Sequence, residues 1–237
     1  DAEEDADWQV YLGGKERNLY SSLKQINRDN VAKLEVAWTF ETGDKAEYQA
    51  NNLIVDGLLY TPTPSRKVVA LDAATGEVRW TWNPAKDGPG AGRARQRGLV
   101  YWENEEGGER RLLTGVAGML FALDAVTGKV IKAFGKEGSI KLGSGLNTPG
   151  VVYKDLVIVG GVGGKGAVRA YDVRSGALRW TWNPIPQAGE PGVETWLNNS
   201  WEYSGMANVW SMMSADEELG LVYLPTGAPS NDMYGGH

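Results

Sequence analysis

A chain of 237 residues, 42% hydrophobic and 23% charged, can bury a core as one large domain or two small ones. Its net charge of −6 excludes a phosphate-backbone partner such as nucleic acid, which requires a basic face, and no apolar run approaches the ~20 residues of a membrane helix. With no cysteine there are no disulfides and no thiolate chemistry, while 32 glycines and ten tryptophans announce tight turns and large packing units.

Taken in chain order, the acidic run DAEEDAD (1–7) reads as a solvated tail at a processed or trimmed terminus. LEVAWTFETG (34–43) reads as an isolated outer strand. NLIVDGLLYTP (52–62) then gives two strands, and ALDAATGEVRW (70–80) a hairpin that runs into RWTWNP (79–84). In that hairpin Asp caps a tight turn through its side chain, and Gly four residues later supplies the left-handed position. The same order recurs. RGLVYWEN (97–104) and RRLLTGV (110–116) precede ALDAVTGKVIKAF (122–134), a worn copy with Lys132 in place of Trp. TPGVVYKDLVIVGG (148–161) precedes AYDVRSGALRW (170–180) and a second RWTWNP at 179–184. Asp72, Asp124 and Asp172 thus mark a unit of about fifty residues with about four strands, the signature of a β-propeller blade. The repeated tryptophans are expected to pack between neighbouring blades. NVWSMMSADEELGLVYLPTG (208–227) opens a further unit. The fold class is therefore all-β, a propeller of four-stranded antiparallel blades with about four blades in this chain. Residues 1–237 are expected to be one unit, the N-terminal half of a longer propeller, with a closed four-bladed, sugar-binding ring as the alternative.

Other motifs carry less. GVGGKG (161–166) fits the dinucleotide pattern but leads into a strand, where that reading needs a helix. His237 is the sole histidine, so neither a His-based triad nor a multi-His metal site can be built, and it reads as an exposed residue. GRARQRG (92–98) is either a solvated loop or a carboxylate or phosphate clamp. The long loop 183–207, with Trp196 and Trp201, reads as an ordered lid or binding loop.

These pieces together resemble the pyrroloquinoline quinone (PQQ)-dependent dehydrogenases, in particular their glucose-dehydrogenase-like branch. The similarity lies in residues 18–43, in RGLVYWE (97–103), in 148–161 and, most specifically, in ANVWSMMSADEELGLVYLPTGAPSNDMYGG (207–236). The resemblance implies an eight-bladed propeller locked by interblade tryptophans, holding PQQ and usually calcium on its axis. It implies oxidation of a sugar or alcohol, a quinone or cytochrome electron acceptor, and a periplasmic or otherwise extracytoplasmic location. It places Trp210 under the PQQ ring, Arg97 against the quinone oxygens or carboxylates, Gln49 near the carboxylates, and Asn147 or Thr148 as a polar contact. Two departures weigh against calcium: Lys165 stands near the expected carboxylate and Ala228 where an Asn ligand is expected. The metal ligands are unknown, and the general-base Asp is expected beyond residue 237, so no catalytic residue is assigned here. The alternative function is a PQQ-like propeller without cofactor, acting as a binding or assembly scaffold.

Overall fold

The computed structural model describes residues 7–14, 16–87, 96–161 and 163–230. His237, most of the acidic run, and Arg93 and Arg95 of the GRARQRG cluster lie outside the described residues. Three sheets of four antiparallel strands follow one another along the chain. The first is β1 (Leu53–Val55), β2 (Leu58–Pro62), β3 (Val68–Asp72) and β4 (Val78–Trp82). The second is β5 (Val100–Glu103), β6 (Arg110–Val116), β7 (Met119–Asp124) and β8 (Ser139–Lys141). The third is β9 (Val151–Tyr153), β10 (Leu156–Gly160), β11 (Val168–Asp172) and β12 (Leu178–Trp182). A two-stranded sheet, β13 (Ser214–Asp216) with β14 (Leu221–Tyr223), opens the fourth unit. Strands pair in sequence order within every sheet, as up-and-down blades require, and the first strands β5, β9 and β13 pack side by side. Among the described residues no helix is long and apolar enough to cross a membrane.

The repeated Asp builds its hairpin as its position dictates. In the first blade Asp72 Oδ1 accepts from Ala74 N–H (3.1 Å), Thr75 N–H (2.9 Å) and the Thr75 hydroxyl (3.1 Å), while Oδ2 takes Arg79 at 2.7 Å. Asp172 repeats the set with Arg174, Ser175 and Arg179. Asp124 keeps the turn through Thr127, but the residue seven on is Ile131, so the ion pair is lost with the motif.

These carboxyls make acid stability testable. Asp72 is held down to about 2, first by the Arg79 guanidinium and then by Thr75. For Asp172, burial acts upward, but Arg179 and Ser175 outweigh it and bring the group to about 2. A carboxyl depressed below its unfolded value of about 3.9 stabilises the fold fully above that pH and loses its contribution as pH falls toward 2. The melting temperature should therefore fall between about pH 4.5 and about pH 2.5. The Asp72→Asn/Asp172→Asn variant should start lower and fall less; equal slopes would contradict the assignment.

Side chains docked on the repeat glycine lock each blade to the next. Trp38 lies on Gly76 of the first blade and Trp80 on Gly128 of the second; at Gly176 of the third, Ile140 comes nearest, with Phe134 beside it. The two indoles also donate to the carbonyl just past the repeated Asp, Trp38 to Ala73 (3.1 Å) and Trp80 to Ala125 (3.2 Å). A Cβ on any of these glycines would collide with the blade in front, and each glycine has positive φ. The small residue of the repeat has its own role: Ala70 pairs with Trp80, and Ala170 with Trp180, across adjacent strands, leaving room for the indole.

Apolar cores lie between successive blades. Leu53, Tyr60, Trp82, Leu99 and Phe121 fill the first gap, and Val100, Leu113, Phe134, Val157 and Tyr171 the second. Val151, Ile158, Val209 and Met213 fill the third. Full burial of such side chains stabilises by about 1.5–3 kcal/mol each. The two RWTW copies differ through their neighbours: Trp82 is 3% exposed against Phe121, whereas Trp182, facing a two-stranded unit, is 43% exposed.

Two sequence expectations need correction. Residues 34–43 form no strand, because no third strand of their own blade lies beside them among the described residues; Trp38 docks by its indole, and Phe40 and Thr42 face the first blade beside it. In the second blade the outer strand is displaced from the worn copy to Ser139–Lys141, leaving Val130 a single bridge to Leu123, although Phe134 stays beside Gly176.

Candidate functional site

The residues just ahead of the innermost strands converge. The lead-in residues of each inner strand meet those of the next blade. A belt of hydrogen bonds runs from blade to blade at this level. Asn51 N–H donates to Arg97 O (2.8 Å), and Arg97 N–H donates to Asn147 O (2.9 Å). The Thr148 hydroxyl then donates to Trp210 O (2.6 Å). The Arg97 side chain follows the same path: Nη1 donates to Thr148 Oγ1 (3.1 Å) and lies 3.4 Å from Trp210 O. Its guanidinium carbon stands 5.6 Å from the centroid of the Trp210 ring, a cation–π distance.

Four of the five sequence-predicted residues, Arg97, Asn147, Thr148 and Trp210, are thus brought together. Trp210 remains 52% exposed, so its ring offers surface to a ligand, whereas Thr148 is buried and serves as the rigid pin between its neighbours. Gln49 is exposed, and its amide donates to Glu47 (2.6 Å). It lies two residues ahead of Asn51, on the same lead-in, but its side chain turns to the surface.

Sequence reasoning missed four contributors. Asn51 Oδ1 accepts from Trp8 Nε1 (3.2 Å) and Leu12 N–H (2.9 Å), tying the N-terminal segment to the first lead-in. Arg17 donates to Met213 O from Nε (3.1 Å) and Nη2 (2.9 Å), carrying that segment to the fourth unit. Tyr11 packs on Gly98, and a cavity of about 380 Å³ opens between this segment and Leu99, Val100, Val151 and Ala215. Burial pushes the Tyr11 hydroxyl above its ordinary range, with the Arg97 and Arg17 cations pulling the other way. Arg66 is the fourth, and its reach is taken up below. None of these belongs to the repeat, and only contact in three dimensions identifies them.

The arrangement suits a flat, aromatic, polyanionic ligand. A half-exposed indole offers a π face, and beside it sits a guanidinium whose Nε and Nη2 make no hydrogen bond among the described residues. PQQ, a planar tricarboxylate, fits that donor set. For a metal ion, no group of three His, Cys, Asp or Glu side chains is gathered among the described residues. Lys165 is committed elsewhere, with Nζ donating to Trp201 O (2.7 Å) and lying 5.1 Å from that ring's centroid. The same contact gives the loop 183–207 its anchor. GVGGKG leads into β11, as its strand reading requires, and not into a helix.

Known proteins resemble this chain in sequence and in fold. The family model of the PQQ glucose/ethanol/alcohol dehydrogenase β-propeller domain matches residues 8–237. The chain is 30% identical to the quinoprotein glucose dehydrogenase of Escherichia coli, over 98% of this chain and 34% of that protein. It is 32% identical to subunit 1 of the Paracoccus denitrificans methanol dehydrogenase, over 97% of this chain and 41% of that one. The crystal structure of the quinohemoprotein alcohol dehydrogenase of Comamonas testosteroni superimposes with a TM-score of 0.76 at 29% identity, covering 94% of this chain and 36% of the other. The chain thus spans a third to two fifths of the length of these relatives. Blade order, interblade tryptophans and the family match lead to one conclusion: this chain belongs to the PQQ-dependent glucose/ethanol/alcohol dehydrogenase β-propeller family.

Proposed function

We propose that the chain forms the cofactor-holding part of a PQQ-dependent oxidoreductase. The enzyme would oxidise the CH–OH group of a sugar or alcohol and pass electrons to a quinone or cytochrome, in the periplasm or another extracytoplasmic space. The observation that carries this reading is Arg97 held over the half-exposed Trp210 ring by Thr148. When bound, PQQ supplies an ortho-quinone able to take two electrons from a carbinol carbon. Trp210 would give its ring a platform, and Arg97 would offer N–H donors to its oxygens and charge to its carboxylates. Thr148 keeps the guanidinium from swinging away, since its hydroxyl accepts from Arg97 while donating to Trp210 O. Asn147 fixes the Arg97 backbone through its carbonyl. The substrate proton is assigned to an Asp beyond residue 237, as the family resemblance implies, and no step is routed through calcium.

The test is dye-coupled oxidation by the full-length protein with added PQQ, over a panel including glucose and ethanol. Dye reduction that requires both PQQ and substrate is expected, and the responding substrate decides sugar against alcohol. A panel without any PQQ-dependent reduction would move the reading to the cofactor-free scaffold, which the commitment of Lys165 to Trp201 favours.

A further inference from the structure

Arg66 occupies the turn between β2 and β3, where Arg66 N–H donates to Thr63 O (2.8 Å) and Thr63 N–H to Lys67 O (2.9 Å). Its φ is +66°, in the left-handed region that glycine fills most cheaply, at a cost of about 1–2 kcal/mol for an L residue. The turn nevertheless carries one of the longest side chains, and only 6% of it is exposed. The guanidinium leaves its own blade and reaches two others. Nη1 donates to Gly115 O of the second blade (2.6 Å) and to Leu146 O at the lead-in of the third (3.3 Å). Nη2 lies 3.5 Å from Asn147 Oδ1. Strain at its backbone and burial of a cation persist only where surrounding contacts over-determine them.

Two of these contacts, to Leu146 O and Asn147 Oδ1, end on the segment that holds the cofactor clamp. Asn147 O accepts the Arg97 N–H, and Thr148, the next residue, joins Arg97 to Trp210. Gly115 lies beneath the same segment, since a Cβ there would strike Leu146. We infer that Arg66 is a positioning residue for the clamp: it pins residues 146–148 against the first two blades and so sets the guanidinium of Arg97 over the Trp210 ring. The inference rests on the PQQ reading above and adds a residue that touches neither cofactor nor substrate.

The test compares Arg66 with Arg111. Arg111 is also 6% exposed and bridges the second and third blades, donating to Val173 O (3.0 Å) and Arg174 O (2.8 Å), but at the far end of β6 from the clamp. PQQ titrations of the full-length protein would be run on wild type, Arg66→Gly, Arg66→Lys and Arg111→Gln. Glycine suits the positive φ, so Arg66→Gly removes the side chain without adding backbone strain. Its Kd for PQQ should rise roughly tenfold or more, the scale expected when the support of a contacting residue is lost. Arg66→Lys, keeping the charge but not the fork, should fall between it and wild type, and Arg111→Gln should bind as wild type does despite a lowered melting temperature. A folded Arg66→Gly protein within about twofold of wild type would overturn the inference, as would an equal loss in Arg111→Gln. If Arg66→Gly does not fold, Arg66→Lys decides alone, and unchanged affinity there overturns it.

Should wild type bind no PQQ, the functional reading fails, and Arg66 is judged in the cofactor-free protein. The difference in emission between each protein and its Trp210→Phe counterpart isolates Trp210. A shift with Arg66→Gly and none with Arg111→Gln supports the positioning role; no shift with Arg66→Gly overturns it.

Discussion

Replacing Trp210 by Ala is expected to raise the Kd for PQQ roughly tenfold to a hundredfold while leaving the fold in place. Stacking of a flat heteroaromatic on an indole is worth about 1–3 kcal/mol, and each ~1.4 kcal/mol is a factor of ten in affinity. The loss should not be accompanied by unfolding, because the ring is 52% exposed and its removal opens little cavity. The contact that ties this segment to its neighbours uses Trp210 O, which alanine retains. Trp210→Phe should recover part of the affinity. A Trp210→Ala protein that binds PQQ as wild type does would remove the indole from the platform role, whatever the fate of Arg97.

The second large effect concerns the ring itself. Gly128→Ala should destabilise the protein by about 2–5 kcal/mol, combining about 1–2 for a left-handed alanine with about 1–3 for overpacking against Trp80. The backbone at Gly128 has φ +69°, and its Cβ would enter the six-membered ring of Trp80. Gly118→Ala is the control: its φ is +76°, yet no atom lies within 4 Å of the added carbon, so only the backbone term applies. Denaturant unfolding of both variants separates the two terms. If Gly128→Ala loses no more than Gly118→Ala, the aromatic lock is not a source of stability.

Much of this architecture was legible because it is periodic. The Asp, the Gly four residues on and the Trp four beyond that each do a mechanical job, turn capping, indole docking and blade locking, so their spacing identifies the blade. Legibility failed where a blade departs from its own period. The worn copy at 130–134 lost its outer strand to Ser139–Lys141, which no motif marks. Residues 34–43 have strand composition, but a strand also needs a partner beside it.

The site divides in the same way. Arg97, Asn147, Thr148 and Trp210 stand beside recognisable strand starts, so family resemblance could place them, and the structure gathers them into one cluster. Gln49 stands in an irregular stretch where no strand fixes its orientation, and its amide turns to Glu47. Arg66 was invisible for a different reason. Arginine in a turn reads as a solvated charge, and nothing in the sequence says that two other blades fold over it.

The central claim is that Arg97, Thr148 and Trp210 form a seat for PQQ. It is tested most directly by titrating the cofactor-free, full-length protein with PQQ while following tryptophan emission, with Trp210→Phe run in parallel. The account predicts saturable quenching at one PQQ per chain, with a smaller amplitude when Trp210 is replaced. Linear, unsaturable quenching identical in the two proteins would contradict it.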